Sequence, residues 1–165
     1  MGRLWSKICS LVFATFAKAS VDPSVAGDDY SKWKNLNSFV ARLTRTDFSP
    51  WLNLPIWVLR EALEETPVKG PEMECRIWVV SEWIIHAANS LFEYMSVEDE
   101  LDESSTRALA TSHLCSNVKP LSIERWEFWK RRLSELAVDV GTQGLDSALT
   151  ARISDALKTM NAVEG

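Results

Sequence analysis

The sequence has no glycine-rich phosphate loop. Its six glycines never fall into G-x-G-x-x-G or G-x-x-x-x-G-K spacing, which excludes the usual nucleotide-binding turns. It has only two histidines and three cysteines, Cys9, Cys75 and Cys115, with no C-x-x-C pair and no histidine at zinc-ligand spacing. No metal and no cofactor is therefore expected, and reduced thiols in a cytosol are the simplest reading. There is no G-x-S-x-G elbow, and no cysteine has a histidine at a recognisable spacing, which argues against covalent catalysis. No apolar run reaches the roughly 20 residues of a membrane-spanning helix. Period-two alternation of useful length is missing, as is any internal repeat. The absence of an Asn-x-Ser/Thr sequon leans away from secretion. Concentrated positive charge is missing too: the net charge is −5, only Lys130, Arg131 and Arg132 cluster, and nucleic acid is not an expected partner.

What is present is hydrophobic surface. Of the 165 residues, 46% are hydrophobic and 25% charged, an ordinary balance for a chain that folds by itself. A domain of this length buries roughly 70% of the surface of its unfolded chain, enough to need no disulfide or metal. Eight tryptophans are the outlier. Each ring buries about 200 Å² while its indole N–H still needs an acceptor, so they imply a large core or a ring-lined groove.

The first nineteen residues are set apart from a helical domain over 20–165, and they admit three readings. Leu4, Ile8, Leu11, Val12 and Phe16 recur at helical spacing, as in an amphipathic helix that docks on the domain. Arg3 and Lys7, the apolar stretch Ile8 to Ala17 and Ala17-Lys18-Ala19 also satisfy the pattern of a cleaved secretory signal. Met1-Gly2 with Ser6, and Cys9 nearby, fits N-terminal acylation at Gly2, although Arg3 is a poor neighbour for it. The first reading implies a cytoplasmic protein, the second a secreted one, the third a lipid-anchored one.

Beyond a turn-rich linker over 20–29, the apolar positions Trp33, Leu36, Phe39, Val40 and Leu43 predict a helix from Tyr30 to about Arg45. Phe48 to Pro55 contains two prolines and predicts a buried irregular corner. Pro55 is placed to open a third helix running to about Glu65. Pro71 to Met95 is apolar on most sides and predicts a central helix. Ser96 to Ser105 predicts an acidic loop, with a short helix over Thr106 to Cys115. Ser122 is placed to cap a fifth helix carrying Trp126, Trp129, Leu133, Leu136 and Val140, and a sixth begins near Leu145. The expected fold is all-α: a single compact domain of about six helices. Its tryptophan-rich core is dominated by Trp33, Leu36, Phe39, Trp57, Leu59, Trp78, Trp83, Ile84, Trp126 and Trp129.

Four blocks carry a family resemblance: Asn35-Leu36-Asn37-Ser38-Phe39-Val40-Ala41-Arg42-Leu43, then Ile56-Trp57-Val58-Leu59-Arg60-Glu61-Ala62-Leu63-Glu64, then Trp78 with Trp83-Ile84-Ile85, then Leu121-Ser122-Ile123-Glu124-Arg125-Trp126-Glu127-Phe128-Trp129-Lys130. Together they resemble a family of fungal proteins of unknown function, from about residue 30 to the C-terminus. The resemblance implies a helical fold and a fungal, intracellular source. It implies no activity, cofactor or catalytic residue.

Two groups of residues carry candidate chemistry. Glu82 and His86 lie four apart on the central helix, hence on one face, and Glu93 lies seven beyond His86, so the three could line one groove as acid and base. The competing reading is a structural pair. Arg125, Trp126 and Trp129 could clamp an anionic or aromatic ligand, because guanidinium combines forked hydrogen bonding with cation–π contact. In the competing reading the charges of this helix face water and pair with Glu124, Glu127 and Glu135. Asn37, like Asn35, could serve a ligand or hydrogen-bond the backbone of the proline-rich corner. The balance favours a non-catalytic module that binds a protein or a small molecule. A small cofactor-independent isomerase or cyclase with an aromatic pocket is the second reading, and a secreted interaction protein the third.

Overall fold

The structure, a computed structural model, describes residues 28–44, 51–97, 100–142 and 147–165. Six α-helices run through them, with no strand among the described residues: α1 Asp28–Thr44, α2 Asn53–Leu59, α3 Pro71–Met95, α4 Glu103–Ala108, α5 Ile123–Thr142 and α6 Ser147–Ala162. The fold is all-α. The three readings of residues 1–19, the linker to residue 27 and Phe48 to Pro50 of the proline-rich corner lie outside the described residues.

The pattern that makes α3 apolar on most sides also makes it the axis of the molecule. Its 25 residues span about 37 Å, and α1, α2, α5 and α6 all pack on it. Pro71 starts it without losing a helical bond, because the N–H groups of a first turn have no intrahelical acceptor. Gly70, just before, sits at φ 68 and ψ −149, a conformation that only glycine adopts cheaply. Trp83, Ile84, Val80 and Leu91 of α3 are fully buried with Leu59 of α2, Trp126 and Trp129 of α5 and Ile153 of α6.

Several boundaries differ from those the sequence predicts. Helix α2 starts at Asn53, so Pro55 is its third residue, where its missing N–H is equally harmless. The short helix expected over Thr106 to Cys115 is instead α4 followed by a 3₁₀ turn at His113–Cys115. Asp102 sets the earlier start, since its carboxylate accepts the Ser105 N–H at 2.8 Å, an N-cap bond. Ser122 caps α5 as expected, accepting the Arg125 N–H at 3.2 Å. Phe39 is not core: it is 56% exposed. The buried stripe of α1 runs instead through Asn37, Val40, Ala41 and Thr44, which leaves Phe39 on the outer side.

After Leu59 the chain does not stop but widens into a π-helical turn, Arg60–Glu64. The wider turn presents both Leu63 and Glu64 to the interior. π-Turns are rare and concentrate at functional positions.

Candidate functional site

Two carboxylates are sunk in the helical core, and each organises the polar groups around it. Glu82 of α3 is 1% exposed. Its Oε1 accepts the Ser38 hydroxyl at 2.6 Å and lies 3.3 Å from His86 Nε2 and 3.6 Å from Arg42 Nη2. Its Oε2 accepts from Arg152 Nη2. Three helices thus converge on one carboxylate: α1 through Ser38 and Arg42, α3 through His86, and α6 through Arg152. A buried carboxylate is tolerable only with such compensation.

The Arg152 guanidinium also lies over the Trp78 ring, 4.2 Å from its centroid, and Lys34 Nζ stands 5.7 Å from the same ring. Burial, and then the neighbouring Arg42 charge, push Arg152 below its ordinary value, with Asp155 opposing them. One level deeper, Asn37 donates to the Trp33 carbonyl at 2.9 Å and accepts the Trp83 indole N–H at 2.8 Å. That bond gives the fully buried Trp83 the acceptor an indole requires.

The second centre is Glu64, on the π-turn. Its Oε1 accepts from Arg125 Nε and from the Trp129 indole, each at 2.6 Å, and its Oε2 accepts the Ser112 N–H at 2.8 Å. Arg125 has no exposed surface. It donates to the Leu109 and Pro120 carbonyls, both at 2.7 Å, and stands 5.0 Å from the Trp129 ring centroid. Trp57 and Arg60 add bonds to the Ala108 and Ala110 carbonyls at 2.8 and 3.1 Å. The segment joining α4 to α5 is thereby pinned to the π-turn.

The candidate residues therefore fall apart into separate places. Glu82 and His86 are together on α3, but Glu93 is exposed and roughly 10 Å beyond His86 along the helix axis. Arg125, Trp129 and Asn37 have their polar atoms engaged inside the protein. Trp126 donates to Glu164 at 2.8 Å, beside Lys130, whose Nζ reaches the same carboxylate at 2.6 Å. Lys130, Arg131 and Arg132 pair with Glu127, Glu135 and Glu164, but of the three only Arg131 faces water as expected, Lys130 and Arg132 being about four-fifths buried. The expectation fails outright for Arg125, which is drawn inward by Glu64.

A small cleft beside the π-turn is lined by Glu61, Pro67, Val68, Met73 and Arg76. It offers about 10 Å³ of free volume, room for about one water. Burial raises the Glu61 carboxyl above its ordinary value against the lowering effect of Arg76. Among the described residues no helix is long and apolar enough to cross a membrane, and no group of three His, Cys, Asp or Glu side chains is arranged to hold a metal.

The sequence reading passed over Glu64, Ser38 and Arg152. A charged residue on the buried stripe of an apolar helix is the one signal that flags Glu64. Nothing local flags Arg152, whose partner is 70 residues away.

Residues 1–133 match the family described as "Protein of unknown function (DUF3632)", and the chain belongs to that family. The match takes in the N-terminal segment and ends within α5, whereas the residue blocks had suggested a span from about residue 30 to the C-terminus. No curated protein and no solved structure matches the chain.

Proposed function

We propose that this protein is a non-catalytic helical interaction module, one domain over residues 20–165, acting in the cytoplasm of a fungal cell on a protein partner rather than on nucleic acid. The observation that carries this reading is how the reactive side chains are used. Glu64, Arg125 and Trp129 bond one another within the core, Asn37 bonds the Trp33 carbonyl and the Trp83 indole, and Glu82 is held by groups from three helices. A general acid or base must reach a substrate proton, whereas these groups are committed to holding helices together. The outward Phe39 on α1 supports a protein partner, since exposed rings are common anchors of interfaces.

Native mass spectrometry of the protein purified from its own source tests the reading. The expected result is a complex with a second protein that Phe39→Glu abolishes without changing the melting temperature. A chain that runs alone, or turnover of a small molecule that vanishes in Glu82→Ala or His86→Ala, overturns it.

A further inference from the structure

The surface above Glu82 has more positive charge than its carboxylate can offset. Arg42 and Arg152 both reach Glu82, and Lys34 shares the Trp78 ring with Arg152. Asp155 lies near Arg152 but is itself paired with Lys158 at 3.2 Å. Among the described residues named here, counting Glu82 and Asp155 against Arg42, Arg152, Lys34 and Lys158 leaves two positive charges, in a chain whose net charge is −5. His86, 18% exposed at the same carboxylate, adds to this whenever it is protonated.

The cations are also held in place. Arg152 is fixed at one end by its bond to Glu82 and across its plane by Trp78, so its remaining donors do not need to be ordered when something binds. Its Nε is buried without an acceptor among the described residues, a group left short of the bond it would ordinarily make. Arg42 is 66% exposed, so the donors it does not use on Glu82 face solvent. A guanidinium is suited to gripping the two oxygens of a phosphate or carboxylate, and preorganisation lowers the entropy lost on binding.

The geometry points to an oxyanion-binding site between α1 and α6, in which Arg42 and Arg152 grip a phosphate or carboxylate group and Lys34 adds charge beside the Trp78 ring. The site is independent of the interaction reading above: it uses neither Phe39 nor a protein partner. Its ligand class is a small molecule bearing a phosphate or carboxylate. A phosphate dianion should bind more tightly than a monocarboxylate, because the local excess is two charges.

The test is a titration of the full chain with sodium phosphate, and separately with sodium acetate, at constant ionic strength set by chloride, read from the arginine Nε–H signals in NMR spectra. The expected result is a saturable shift of the Arg152 signal with phosphate, and a weaker one with acetate. Arg42→Gln should weaken phosphate binding at least tenfold, and Lys34→Gln severalfold. Arg42 is largely exposed and Lys34 partly so, and an unchanged helical circular dichroism spectrum with a cooperative melt shows that each variant keeps the fold. Saturation by acetate as tight as by phosphate identifies a carboxylate site instead and leaves the oxyanion assignment standing. A shift that grows linearly and equally with chloride, or an unchanged affinity in Arg42→Gln, overturns the proposal.

Discussion

Glu64 Oε1 and Arg125 Nε, 61 residues apart in the chain, meet at 2.6 Å with neither side chain exposed. The carboxylate accepts three donors and the guanidinium reaches three carbonyls besides, so removal of either partner strands a charge in the core.

Glu64→Ala should therefore destabilise the protein by about 3–5 kcal/mol, the usual consequence of leaving a buried charge unpaired. Glu64→Gln keeps an acceptor for Trp129 but still leaves the buried Arg125 charge unpaired, so it should also cost about 3–5 kcal/mol, toward the lower end of that range. Urea denaturation followed by tryptophan fluorescence checks both. A Glu64→Ala variant within about 1 kcal/mol of the parent would contradict the compensation described here.

Gly70→Ala isolates a backbone effect. A Cβ there would meet nothing within 4 Å, yet φ 68 with ψ −149 lies where L-residues are strained. The expected loss is about 1–3 kcal/mol, with no change in the helical content of the folded state. A neutral substitution would show that Gly70 can relax without moving α3.

Acid should release the C-terminal contact on α5. Burial raises the Glu164 carboxyl, but the bonds from Lys130 and Trp126 outweigh it and hold the group below its ordinary 4.5. A lowered folded value gives stability that is complete above about pH 4.5 and is lost as pH falls through that lowered value. The stability difference between the parent and Glu164→Gln should be constant from about pH 6 to 8 and shrink as pH falls below about 4.5. A difference that persists unchanged in acid would show that the contact is not ionic.

Burial pushes the Cys75 and Cys115 thiols up to about 11. At pH 8 roughly one molecule in a thousand carries either thiolate, and the thiolate is the reactive form. Both cysteines should resist alkylation by iodoacetamide in the folded protein and react promptly in urea, as peptide mapping would show. Fast native labelling of Cys75 would contradict its burial.

The bounds of α3 were legible because proline opens it and the apolar residues that follow leave only one continuous helical reading. The capping role of Ser122 was legible for a similar reason, an oxygen just ahead of a three-four rhythm. The orientation of α1 was not. Trp33, Leu36, Phe39, Val40 and Leu43 describe an apolar helix, but Asn37 takes a place on the buried stripe because the Trp83 indole needs its oxygen. A hydrophobic pattern carries no record of that demand. Arg125 is illegible for the same reason: nothing in the spacing of α5 marks its partner, which arrives on a π-turn 61 residues earlier in the chain. Of the candidate site, the pairing of Glu82 with His86 was visible in their spacing. Its completion by Ser38 and Arg152 depends on helices separated from α3 by long stretches of chain.

The two carboxylate centres also bear on how the chain reaches this fold. Glu82 draws donors from α1 and α6, and Glu64 from α5 and the segment before it, over separations of 44 to 70 residues. A partly assembled molecule in which α3 is covered but α6 has not docked would hold a desolvated carboxylate short of its cation. Such an intermediate is penalised by the same interactions that secure the finished structure. The described helices should consequently form and melt as one cooperative unit, with no stable state in which a subset stands alone.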